Sequence, residues 1–282
     1  MTERELYIEI KRIFAVSCAQ EMFSFRDLWT ALCEKNGIAT EAHILSPHAP
    51  QPLAGAAVED AGRLCDGYPL QYYLGSAYFC GRRFAVHENV LIPREDTAVV
   101  CRLAERYASG AALFDFCTGS GIIPITVLAD LPDTRAQAVD ISPDAVALTL
   151  ENARLHGVNG RLSCSVCDLF SDRAEALLNE FSPAVITANP PYIRTKDMQK
   201  LPKNVKREPS LALDGGEDGM RFYRRITRLC APLVRRGSRL VFEIGFDQDR
   251  DIAAVAKQYG FGCTVFPDGA GLPRAALIEK NC

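Results

Sequence analysis

Long apolar runs are absent from this chain, and so is an excess of charge of either sign. No stretch approaches the roughly 20 apolar residues needed to cross a bilayer, which excludes a helical membrane protein. The opening residues, MTERELYIEIKRIF, carry charge throughout and lack the apolar centre of a secretory signal. A cytoplasmic setting is expected. Lysine and arginine number 32 against 35 acidic residues, a net charge of −3. Stable nucleic-acid binding usually needs a basic domain or face and is not expected here. The basic cluster Arg224, Arg225, Arg228, Arg235 and Arg236 falls on an amphipathic helical pattern and reads as solvated surface.

Paired metal ligands are scarce as well. The eleven cysteines are scattered, and their odd number argues against a disulfide framework. The closest pair, Cys164 and Cys167 in CSVC, lies inside a strand-like run with no second pair at zinc-finger spacing. His43 and His48 stand alone. No metal site is expected, and the cysteines read as small core residues.

What remains is an ordinary globular composition, 48% hydrophobic and 24% charged over 282 residues, enough for one large core and an appendage. Residues 1–75 read as a small helical domain. Leu6, Ile10, Ile13 and Phe14 follow helical spacing, SPHAPQPLAG (46–55) is a proline-rich loop, and Val58 to Cys65 forms a helix ending at Gly67. Residues 76–92 read as a linking β-hairpin with its turn at Gly81-Arg82. From residue 93 to 282 strands alternate with helices. The strands are 112–116, 136–140, 162–168, 184–189 and 240–245, followed by FGCTVFPD and RAALIEK. Helical crossovers imply five parallel strands, and the last two, with no room for a helix between them, close the edge as an antiparallel pair.

The first of these strands runs into Cys117-Thr118-Gly119-Ser120-Gly121. Two glycines there let a backbone turn sharply and approach a ligand, in the crevice where open α/β sheets bind theirs. The second strand ends at Asp140, placed to accept hydrogen bonds from both ribose hydroxyls of a nucleoside; Ser142-Pro143-Asp144 already supplies the next helix cap, leaving that carboxylate to a ligand. The third ends at Asp168-Leu169-Phe170, where a carboxylate and an apolar side chain could hold an adenine. No lysine follows the glycines, and position 124 is proline where a dinucleotide fingerprint needs its third glycine. A nucleoside without a pyrophosphate fits, and S-adenosylmethionine, with S-adenosylhomocysteine as its product, is such a ligand.

The fourth strand delivers Asn189-Pro190-Pro191-Tyr192 to the same edge. The nitrogen of an amide or aromatic amine is a poor nucleophile because its lone pair is delocalised. The Asn189 side-chain oxygen and the Pro190 carbonyl could accept both N–H bonds of a planar NH₂ and stabilise its developing charge. The prolines stiffen the loop, and Tyr192 could lie against the flat substrate group.

On these residues the chain resembles the class I S-adenosylmethionine-dependent methyltransferases, and within them the protein-(glutamine-N5) methyltransferases. The narrower likeness rests on PLQYYLG (69–75), VLIPR (90–94), EPSLAL (208–213), Gly215-Gly216, Asp218-Gly219, Phe222-Tyr223-Arg224 and Glu243-Ile244-Gly245. The resemblance implies a Rossmann-like seven-stranded sheet behind a helical substrate-docking domain, and transfer of a methyl group to the glutamine of a GGQ loop in class I peptide-chain release factors. It places Cys117 to Gly121, Asp140, Asp168, Leu169 and Asn189 on the cofactor, with Arg94 toward the cofactor's amino-acid end, and Asn189 to Tyr192 on the glutamine. Cys117 departs from the family by standing where the first glycine of GxGxG is usual. A glutamine on a ribosomal protein and an adenine-N6 or guanine-N2 in nucleic acid are the alternative acceptors.

Overall fold

The structure, a computed structural model, describes residues 2–38 and 54–281. These fall into two compact units, one within Met1–Ser76 and Leu201–Arg207, the other Ala77–Lys200 with Glu208–Cys282. The proline-rich stretch with His43 and His48 lies largely outside the described residues.

In the first unit, α1 (Glu3–Ala15) starts at a capping box in which Thr2 and Glu5 satisfy each other's backbone N–H groups. Ser24 and Asp27 repeat the device for α2 (Phe25–Asn36), which ends on Gly37 at φ 64°. With α3 (Ala54–Cys65) they close a core around Leu6, Ile10, Leu28, Leu32 and Leu64, as the helical spacing predicts. A short α4 (Leu70–Leu74) follows. Leu201–Arg207 belongs to this unit too, tied down by Lys203 and Arg207 on Asp66. Local pattern alone does not reveal such a long-range return of the chain.

Strands β1 (Ser76–Phe79) and β2 (Arg82–Ala85) form the expected hairpin. Its turn lies one residue earlier than predicted, at Cys80-Gly81, where φ is 47° and 72°. Both residues have the positive φ that lets a two-residue turn follow the strand twist.

Helix α5 (Ala98–Ala108) precedes the alternating series β3 (Ala112–Phe116), α6 (Ile122–Asp130), β4 (Arg135–Asp140), α7 (Pro143–Leu155), β5 (Leu162–Val166), α8 (Asp172–Phe181), β6 (Val185–Ala188), α9 (Arg221–Arg235), β7 (Arg239–Glu243) and α10 (Asp249–Gln258). Two final strands, β8 (Phe261–Pro267) and β9 (Pro273–Lys280), complete a sheet of order β5-β4-β3-β6-β7-β9-β8. The first five are parallel, and β9 pairs antiparallel with both β7 and β8, the predicted arrangement. Alternation along β3 sends Phe114 and Phe116 into one core layer and Leu113 into the other. The order reverses beside β3, with β4 on one side and β6 on the other. A ligand crevice therefore forms at the carboxyl ends of these strands.

Candidate active site

A cavity of about 260 Å³ opens at those strand ends. Of the predicted residues, Cys117, Thr118, Gly119, Ser120, Asp140, Asp168, Leu169, Asn189 and Pro191 line it; Gly121, Pro190 and Tyr192 do not.

The loop after β3 is held from behind. Thr149 Oγ1 donates to the Gly119 carbonyl at 3.0 Å, and Asn152 Nδ2 to that of Ser120 at 3.0 Å. Both come from α7. Asn152 also takes the Ala85 N–H at 2.7 Å, tying the hairpin to the same loop. The two glycines serve different ends. A Cβ on Gly121 would sit 2.8 Å from Ile125 and 2.9 Å from Thr149, so only glycine fits against the helix. Gly119, at φ 58°, faces open space and leaves the backbone bare for a ligand. Cys117 itself adopts φ 56°, a conformation that favours glycine, and its burial pushes the thiol pKa well up.

Asp140 accepts the Gly119 N–H at 2.9 Å and the Ser142 N–H at 3.0 Å, one on each oxygen. The expectation that Ser142 alone caps α7 and leaves this carboxylate to a ligand is thus half met. Ser142 does cap the helix by accepting from Ala145, while Asp140 also clamps two backbone amides. Each oxygen keeps a further lone pair beside the cavity. Burial raises the Asp140 pKa, and the backbone donors oppose that rise.

After β5, Asp168 accepts the Phe170 N–H at 2.8 Å, and Leu169 is buried. Arg225 donates to the carbonyls of Leu169 and Ser171 at 3.0 and 3.3 Å. So one member of the supposed surface cluster instead braces this loop. Half-exposed Phe170 meets Phe222 edge to face at 5.6 Å, and the Arg221 guanidinium lies 4.5 Å above the Phe170 ring. Phe170 was read in the strand-end segment, but Phe222 and Arg221 had no part assigned beside it, because they come from a distant segment.

The Asn-Pro-Pro-Tyr loop is gripped by backbone. The Ile193 N–H donates to the Leu213 carbonyl at 3.0 Å, the Gly215 N–H to the Ile193 carbonyl at 2.8 Å, and Gln248 Nε2 to the Tyr192 carbonyl at 3.1 Å. A Cβ on Gly215 would lie 2.7 Å from Tyr192 Cα, and one on Gly219 2.5 Å from the Tyr192 carbonyl oxygen. Those glycines exist so that two chain segments can touch. Tyr192 packs against the main core layer, and burial raises its phenol pKa.

Behind the loop, Asn189 Nδ2 lies 3.5 Å from Thr97 Oγ1, which donates to Glu243 Oε2 at 2.6 Å. Burial pushes Glu243 up to about 7, opposed by the Thr97 bond and by the cations Arg274 and Arg94. Arg94, predicted to reach a ligand, lines the cavity but pairs with buried Glu208, which also accepts the Ile92 N–H at 3.0 Å. Arg274 pairs with Asp96 at 3.2 Å and with Asp268 at 3.3 Å.

Comparison with known proteins agrees with this architecture. Residues 97–208 match the family model described as methyltransferase small domain. The chain is 39% identical over 233 residues to the release factor glutamine methyltransferase of Moorella thermoacetica, covering 81% of each chain. It is 36% identical to that of Cereibacter sphaeroides, covering 85% of this chain and 86% of the other. Among solved structures, the hMettl16 catalytic domain aligns with a TM-score of 0.55 at 14% identity, over 71% of this chain and 76% of that one, a likeness of fold. With relatives of this identity along most of its length, the chain belongs to the family of release factor glutamine methyltransferases.

Proposed function

We propose that this enzyme methylates the side-chain amide nitrogen of a glutamine in a class I peptide-chain release factor, with S-adenosylmethionine as donor. The observation that carries the reading is the juxtaposition, on one cavity, of a nucleoside-type cradle and of Asn189 and Pro191 from the Asn-Pro-Pro-Tyr loop.

The residues fit the donor. Gly119 offers a backbone surface without a side chain, Asp140 has lone pairs for vicinal hydroxyls, and Leu169 with Phe170 gives an apolar and aromatic wall for a base. When bound, S-adenosylmethionine supplies an electrophilic methyl group on a positively charged sulfur. The protein's part is to present the nucleophile. Asn189 Oδ1 and the Pro190 carbonyl accept the two N–H bonds of the glutamine amide, orient its nitrogen and spread the positive charge that develops there. Tyr192, off the cavity wall and anchored through its carbonyl, keeps the loop rigid.

The test uses S-adenosylmethionine carrying a labelled methyl group. It is offered with a purified class I release factor, with ribosomal proteins, and with DNA or RNA in separate reactions. Label on the release factor, mapped by mass spectrometry to the glutamine of its Gly-Gly-Gln loop, is expected. Label in ribosomal protein or nucleic acid alone defeats the reading.

A further inference from the structure

The Asn189 carboxamide has two ends of nearly equal shape, an oxygen that accepts and an NH₂ that donates. Packing alone does not tell such a group which end to turn toward the cavity. The reaction requires the oxygen there. The other orientation would set two N–H donors against the N–H bonds of the substrate amide and leave donors unsatisfied on both sides.

The groups behind Asn189 settle this choice. Thr97 and Glu243 are both buried, with Thr97 Oγ1 2.6 Å from Glu243 Oε2 and 3.5 Å from Asn189 Nδ2. A threonine hydroxyl carries one proton, and an ionised carboxylate can only accept. With Glu243 ionised, the Thr97 proton is committed to it. What Thr97 then offers Asn189 is a lone pair, which attracts an N–H and repels a carboxamide oxygen. Glu243 is itself fixed at the end of β7, where Tyr223 donates to its backbone carbonyl at 2.8 Å and the strand pairs with β9.

We propose that Thr97 and Glu243 are positioning residues for methyl transfer: the Glu243 carboxylate commits the Thr97 proton, and Thr97 in turn holds the Asn189 amide with its oxygen toward the substrate nitrogen. Thr97 lies at the cavity wall beside Asn189 and Glu243 lies behind it, and both act through Asn189. The proposal rests on the function argued above for Asn189, and its test separates the two.

Thr97→Val keeps the shape and removes the hydroxyl, whereas Thr97→Ser keeps the hydroxyl. Thr97→Val should lower kcat by about tenfold or more while the Kd for S-adenosylmethionine, measured by calorimetry, shifts by less than about threefold. Thr97→Ser should bring kcat back to within about threefold of the unaltered chain. Thr97→Val turnover close to the unaltered level, a matching loss of turnover and cofactor affinity, or a Thr97→Ser variant as poor as Thr97→Val each overturns the proposal. A neutron structure of the unaltered protein is a second test that needs no substrate and no variant that folds. Deuterons on the Asn189 nitrogen facing Thr97 are expected, and the carboxamide oxygen facing Thr97 overturns the assignment. If the glutamine reading alone is wrong, the release factor stays unlabelled while the deuterons still face Thr97.

Discussion

The two ends of the cavity are built by different means. At the β3–β4 end the partners are nearer in sequence: Gly119 bonds Asp140 across 21 positions, Thr149 and Asn152 reach the loop across 30 and 32, and each bond has the loop backbone on one side. At the β6–β7 end, side chains far apart in sequence hold one another. Asn189 reaches Thr97 across 92 positions, Thr97 reaches Glu243 across 146, and Arg94 reaches Glu208 across 114. A cofactor presents the same face at every turnover and is met by a fixed backbone cradle. Aligning a weak nucleophile needs oriented side-chain dipoles, and those need partners behind them. The first end should therefore govern affinity, and the second rate.

The sharpest way to break that division is Asn189→Ala. It should lower kcat by about 100- to 1000-fold, the range for loss of one preorganised charge-stabilising group, with cofactor Kd moving by less than about threefold. Steady-state kinetics and calorimetry on the same preparation measure both. If affinity collapses together with rate, the two ends are not separable.

Asp140→Ala probes the other end. Its carboxylate clamps two amides of the cradle and faces the cavity, so its loss should weaken cofactor binding by about 10- to 100-fold, the range for charge-assisted hydrogen bonds. At saturating cofactor, kcat should fall much less. A variant that binds cofactor normally but turns over slowly would reverse the proposed division.

The same contrast governs how much the sequence discloses. Seven strands, their direction and the antiparallel edge were legible because parallel crossovers follow from alternating periodicities. The glycine loop and Asp140 were legible because a cradle made of contiguous backbone leaves a contiguous motif. Glu243 and Glu208 were visible only as parts of a family likeness, without a role, and nothing local marks Thr97 as the partner of a glutamate 146 positions on. Arg225 was misplaced for a related reason: helical periodicity marks the face a residue occupies, not the carbonyls it reaches. Leu201–Arg207 joins the helical unit through Asp66, a contact with no periodic signature.

A smaller effect is expected where the β6–β7 end meets the lead-in segment. Glu208 is buried, while Arg94 is about a third exposed, so water shares part of their attraction. Glu208→Gln keeps an acceptor for the Ile92 N–H but removes the charge. It should destabilise the fold by about 1–2 kcal/mol, a Tm drop of a few degrees. An unchanged melting curve would show that the ion pair is incidental to this end of the cavity.

The smallest and most discriminating effect concerns pH, because each end has one buried carboxyl pushed up to about 7, Asp115 under the cradle and Glu243 behind Asn189. Burial is the main cause in both. Asp115 is hydrogen-bonded by Thr187 at 2.6 Å, with Asp140 near it. Around Glu243 stand Arg274, Arg94, Asp96, Tyr192, Tyr223 and Cys101. A carboxyl whose pKa is higher folded than unfolded holds its proton more tightly when folded. Its contribution to stability is complete below the usual carboxyl range and is lost as pH rises through about 7. Asp115→Asn cannot charge and still accepts from Thr187. Its Tm should match the unaltered protein near pH 4 and exceed it near pH 8 by a few degrees, on the order of 1 kcal/mol. The pH profile of kcat should not move, because Asp115 lies behind the cavity wall. Glu243→Gln should do the reverse to the profile. In the unaltered enzyme, protonated Glu243 donates to Thr97, frees the Thr97 proton for the Asn189 oxygen, and so lets the amide turn the wrong way. The resulting acid-side fall in kcat should flatten in Glu243→Gln, which has no carboxyl to titrate. If Asp115→Asn flattens that limb and Glu243→Gln leaves it in place, the orienting carboxylate belongs to the cradle end, and the division between the two ends fails.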